Sequence, residues 1–201
     1  MRLVHVCACL MGGILVPPAV KADVTVIVDF KGISSRIAVN EMEREASKII
    51  SASGVQLAWR TRGQAVNATF DDLVVMSFKG ACTYVPAPPL YDELGPYAST
   101  RTTSGEVQPF GEVDCGRVVS SVRSAMFGGD FDRAEILVGR ALGRVVAHEL
   151  VHMLTKSDVH AHQGVQKASL SGKQLIAASL PLSAIDLDRL RVERKVHQGM
   201  R

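Results

Sequence analysis

His148-Glu149-Leu150-Val151-His152 sets two histidines four residues apart, with a glutamate directly after the first. On an α-helix, positions i and i+4 share one face roughly 6 Å apart, so both imidazoles can reach one ion. Imidazole nitrogen suits Zn²⁺, at about 2.0–2.1 Å. The glutamate then stands close to the ion without binding it, where it can take a proton from a water that the metal activates. This HExxH arrangement therefore supports metal-assisted hydrolysis, with His148 and His152 as ligands and Glu149 as general base.

Two histidines do not complete such a site, because catalytic zinc uses three protein ligands and a water. A near set of candidates, Asp158, His160 and His162, lies in Lys156-Ser157-Asp158-Val159-His160-Ala161-His162. A far set, Asp186, Asp188 and Glu193, lies on the last predicted helix, where these carboxylates read as its polar face. His197 reads as a surface residue. From the residues alone the choice stays open.

The elements that must position these groups read as α/β. Val24 to Phe30 is apolar on both faces, a buried strand. Ser34 or Ser35 caps a helix to about Ser53, with Ile37, Met42, Ala46, Ile49 and Ile50 on its apolar side, and Gly54 stops it. Val55 to Arg60 and Leu73 to Phe78 are further strands, so strand, helix, strand implies a right-handed parallel crossover. Gly80 to about Gly105, rich in Pro, Ser and Thr, reads as an irregular surface loop. Tyr84, Tyr91 and Tyr97 read as packing that loop. Val107 to Val113 reads as a short strand that Pro109 confines to an edge, where an extended peptide could add itself.

Arg117 to Phe127 reads as a helix ended by Gly128-Gly129. The helix that carries the motif is expected to start near Asp130 or Asp132, with Asp132 and Glu135 as a capping box, and to run to about Thr155. Ile136, Leu137, Val145, Val146, Leu150 and Met153 form its apolar side. Gly139 and Gly143, one turn apart, imply a neighbour packed closely against it. Ser171 to Ala178 and Ser183 to about His197 are the remaining helices, with Pro181 between them. The fold class is a single α/β domain, a mixed, mostly parallel sheet packed against helices.

Arg2, the apolar run Leu3 to Val16 and Val20-Lys21-Ala22 read as a signal peptide over 1–22. About 14 residues are too few to span a bilayer, which takes about 20. Residues 23–201 would be the mature domain. Removing Arg2 and Lys21 from 23 basic residues leaves 21 against 20 acidic, so its net charge is about +1 and no nucleic-acid partner is implied. Cys7 and Cys9 leave with the leader. Cys82 and Cys115 remain, and an even pair in an exported chain implies a disulfide. Secretion or a periplasmic location follows, without stable membrane insertion, and a monomer is expected.

The stretch after His152 resembles the metzincin metalloproteases, whose extended motif HExxHxxGxxH turns the chain back and returns a third ligand to the metal. Here the usual glycine is Thr155 and the usual third-ligand position is Asp158, a residue some metzincin-like secreted bacterial proteases use there. The segment is more similar to small exported bacterial metzincin-like proteins, in which the third histidine falls two residues later and a Gly-hydrophobic-Met segment follows. That resemblance implies His160 as third ligand and puts Gly164-Val165-Gln166 at the methionine turn. Val113-Asp114-Cys115-Gly116-Arg117, with Cys82 upstream, also resembles this group. The likeness spans roughly residues 73 to 176. Gln166 replaces a methionine that floors the metal without ligating it, a change that tunes the site or marks a weakly active protein.

The resemblance and the motif together imply a zinc-dependent endopeptidase acting on peptide or protein substrates. The alternatives are an exported zinc-binding protein with little or no protease activity, and a disulfide-bonded α/β binding module with an accidental HExxH.

Overall fold

The computed structural model describes residues 23–86 and 96–199, with side chains through 196. Residues 1–22, read as a leader, and Tyr91 lie outside the described residues, as does the side chain of His197. β1 (Val24–Phe30), β2 (Leu57–Thr61), β3 (Leu73–Lys79), β4 (Ala98–Thr103) and β5 (Glu106–Asp114) form one sheet in the order β2-β1-β3-β5-β4. All neighbours pair in parallel except β4 with β5. Helices α1 (Arg36–Ser51), α2 (Cys115–Ala125), α3 (Ala134–Thr155), α4 (Gly172–Ile176) and α5 (Ala184–Gly199) complete the fold. The α/β architecture read from the apolar runs is the one observed. Ser35 caps α1 through the amide of Ala38.

Two expectations at the sheet margin are corrected. β5 is interior, between β3 and β4, and the edge strand is β4, inside the stretch read as loop. Ala98-Ser-Thr-Arg-Thr-Thr103 carries no apolar alternation, because it is mostly solvated and needs none. Pro109 survives in an interior strand because the β4–β5 register shifts there. Thr100 faces Gly111 while Thr102 faces Val107, so Gln108, Pro109 and Phe110 together oppose Arg101. Pairing with β3 begins only at Phe110. Proline is tolerated at such an irregularity, where no ladder bond needs its missing N–H.

α3 runs 22 residues through the core. Leu137, Val138, Ala141, Leu142, Val145, Val146, Leu150 and Met153 are buried along it. Ile136 and Ile37, expected on apolar sides, are 40% and 57% exposed instead. α3 crosses α1 at the glycine pair. A Cβ on Gly139 would stand 2.5 Å from the carbonyl oxygen of Ala38, and one on Gly143 2.7 Å from that of Met42. The close approach read from their spacing is therefore present.

The start of α3 differs from expectation. A 3₁₀ turn over Gly128–Arg133 precedes it, and no side chain caps it. Glu135, expected in a capping box, instead accepts from the Thr83 hydroxyl at 2.6 Å and the Tyr84 amide at 3.0 Å. It ties the strap after β3 to the helix, and the Cys82–Cys115 disulfide ties the same strap to α2.

Candidate metal centre

The last turns of α3 present His148, Glu149 and His152. Two backbone carbonyls orient the imidazoles. His148 Nδ1 lies 2.9 Å from the Val165 oxygen, and His152 Nδ1 lies 2.6 Å from the Ser157 oxygen. A carbonyl only accepts, so each Nδ1 must carry the proton and donate it. In the neutral rings both Nε2 atoms then bear lone pairs, and they face one another at 3.1 Å. Two lone pairs at that separation repel unless a cation or a proton lies between them.

Burial keeps these rings neutral. It pushes the His148 imidazole down, against the opposing effects of the Val165 carbonyl and the Asp186 charge. It likewise lowers His152, with the Ser157 carbonyl opposing. Neutral imidazole is the form that ligates a metal.

After His152 the chain reverses through Lys156, which adopts a left-handed conformation with φ 47° and bonds its amide to the His152 carbonyl. The returning segment brings in His160. Its ring centroid lies 5.1 Å from that of His148 and 4.8 Å from that of His152. One nitrogen from each of the three rings lies within 4.8 Å of the others. Among the described residues no other group of three His, Cys, Asp or Glu side chains converges in this way.

The other candidates fall elsewhere. Asp158 lines the same cavity but is not in the histidine group, and His162 is exposed outside it. Asp188 is exposed and paired with Arg191 at 3.2 Å. Glu193 is half-buried beside a second cavity. Asp186, read as polar surface, is fully buried. It closes the first turn of α5, accepting from the Ser183 hydroxyl at 2.6 Å while the Asp186 amide bonds back to that hydroxyl. The serine and aspartate three residues apart are a capping pair rather than a solvated face.

Gln166 is fully buried beneath His152. Its Nε2 lies 2.9 Å from one ring nitrogen of His152 and 3.3 Å from the other. An atom that close to both nitrogens of one imidazole cannot lie along either lone pair, so the amide sits over the ring face. Gln166 thus occupies a floor position, with a polar group where the resemblance expects a thioether.

Glu149 is 6% exposed, and its Oε2 accepts from the Thr100 hydroxyl at 2.6 Å. Burial raises its carboxyl, while the Thr100 bond and the neighbouring His152 and His160 oppose that rise. Thr100 escaped sequence reading because its run of threonines offers β-propensity and no chemical pattern. A cavity of about 670 Å³ opens over these groups, bordered by β4, by Val145 and by the segment from Lys167 to Ser171. Tyr97 borders it too, its hydroxyl 2.7 Å from that of Ser121. Tyr84 packs against Phe131.

The donor set fits zinc: three imidazoles converge, two with their outer nitrogens committed to carbonyls, beside a carboxylate that stays out of the group. No family model and no curated protein sequence matches this chain. Among solved structures the chain is similar to archaemetzincin from Methanopyrus kandleri, with a TM-score of 0.51 at 12% identity. The match covers 90% of this chain and 99% of that one, and the likeness is one of fold.

Proposed function

We propose that this chain is a zinc-dependent endopeptidase, with the metal held by His148, His152 and His160 and with Glu149 as general base. The observation that carries the reading is the facing pair of Nε2 lone pairs, 3.1 Å apart, with a third imidazole and a buried carboxylate beside them. The fold shared with archaemetzincin supports the same reading. When bound, Zn²⁺ would supply Lewis acidity, polarising a peptide carbonyl and lowering the pKa of water toward about 7.

The side chains do the remaining work. The carbonyls of Val165 and Ser157 hold the tautomers that aim Nε2 inward. Glu149 takes the proton of the attacking water and gives it to the leaving amine as the peptide bond breaks. A carboxyl raised by burial suits that double task better than an exposed one. An extended peptide would lie along the cavity, pairing with β4, the strand that borders it at the sheet edge.

Export into an oxidising compartment is part of the proposal, supported by the leader-like segment and the disulfide. Among the described residues no helix is long and apolar enough to cross a membrane. One observation favours a second reading, a zinc-binding protein with little turnover: the polar amide of Gln166 over His152. Casein hydrolysis by zinc-loaded protein separates the two. Wild type should cleave, and Glu149→Gln should keep its zinc while losing about 10²–10⁴ in rate. Equal rates in the two proteins would remove Glu149 from its role, and a zinc-loaded wild type inert across a broad peptide library would favour the second reading.

A further inference from the structure

Thr100 reaches Glu149 from a different element, and that is what gives the contact meaning. We infer that Thr100 is a positioning residue for Glu149: its hydroxyl fixes Oε2 and leaves Oε1 as the oxygen that handles the proton. The inference rests on the peptidase reading for its kinetic consequence, but the contact can be tested without it.

At 2.6 Å the bond lies in the short range of hydroxyl-to-carboxylate hydrogen bonds, about 2.5–2.7 Å, which are stronger than neutral ones. Its donor is well anchored. Thr100 pairs with Gly111 in the β4–β5 ladder, immediately before the register shift, and its β-branched side chain has restricted χ1 freedom. The acceptor by itself is not anchored, since a glutamate on a helix has three rotatable side-chain bonds. The Thr100 hydroxyl goes to Oε2, so the two oxygens are inequivalent.

The arrangement has the logic of a base held by a third group, in which an orienting bond selects the useful geometry. A small displacement of a catalytic group of this kind can reduce rate by about 10²-fold.

The test uses the full-length mature protein, loaded with zinc, as wild type, Thr100→Val and Thr100→Ser. Carboxyl ¹³C NMR on glutamate-labelled protein reads the contact directly, with the Glu149 resonance assigned by its loss in Glu149→Gln. The resonance should move in Thr100→Val and return close to its wild-type position in Thr100→Ser. A resonance unmoved in Thr100→Val overturns the inference whether or not the protein is a peptidase. On a cleaved peptide, Thr100→Val should lose about 10–100-fold in kcat with KM within about 2-fold and zinc stoichiometry unchanged, and Thr100→Ser should recover most of it. An undiminished kcat in Thr100→Val overturns the inference while leaving the peptidase reading intact. A wild type that binds zinc but cleaves nothing defeats that reading instead, and the NMR result still decides the contact.

Discussion

Arg144 and Glu45 form a buried ion pair between α3 and α1, with Nε donating to Oε1 at 2.9 Å. Arg144 is fully buried one turn before His148. Its remaining N–H groups donate to the carbonyls of Gln174, Leu175 and Ala177. One guanidinium thus joins α1, the motif helix and α4, the short helix whose Gln174 lines the cavity.

Breaking that pair on one side leaves a charge without compensation. Glu45→Ala should destabilise the fold by about 3–5 kcal/mol, read as a lower denaturation midpoint in urea. Glu45→Gln keeps an acceptor and should lose less. Equal stability of Glu45→Ala and wild type would mean that the pair is not buried as described.

The glycine pair makes a steric prediction. Gly143→Ala drives a methyl into the α1 backbone near Met42 and should destabilise by about 1–3 kcal/mol, despite alanine's better helix propensity. Thermal unfolding checks it. A stabilised Gly143→Ala would show that α1 and α3 are not in close contact.

Much of this frame was legible beforehand. β1, β3, α1 and α3 announce themselves as apolar runs, and the glycine spacing implied a close neighbour for α3, which only the fold identifies as α1. What escaped are features set by tertiary context. β4 is polar because it is an edge, so neither it nor Thr100 has a hydrophobic signature. Nothing in the sequence singles out Arg144, and only the fold shows that carbonyls surround it. The position of His160 depends on a left-handed turn at Lys156, a conformation that a lysine does not advertise. For that reason resemblance, and not residue spacing, singled out His160 from Asp158 and His162.

The disulfide closes a loop of 33 residues. On the chain-entropy model its removal in Cys82→Ser/Cys115→Ser should cost about 3–4 kcal/mol. Thermal unfolding of the double variant measures this directly. An unchanged midpoint would show that the strap is held by Glu135 and its neighbours alone.

Protonation gives a prediction with a definite sign. In the metal-free fold the pKa values of His148 and His152 lie below the ordinary 6.5, so between those lowered values and 6.5 the unfolded chain binds more protons. Their contribution to stability is complete above about 6.5 and is lost as pH falls through that window. Glu149, raised above 4.5, acts oppositely, because its folded form takes up a proton sooner as pH falls. Metal-free Glu149→Gln isolates the histidines. Its unfolding midpoint should fall with acid below pH 6.5, and more steeply than that of wild type; a variant midpoint that does not fall would contradict the burial of the imidazoles, and a fall shallower than wild type would contradict the raised carboxyl of Glu149.

The most direct measurement is metal content by elemental analysis after zinc loading and exhaustive dialysis, for wild type, His160→Ala and His162→Ala. The account predicts one zinc per chain in wild type and in His162→Ala, and substantial loss in His160→Ala. Zinc retained equally by all three proteins, or absent from wild type, would contradict it.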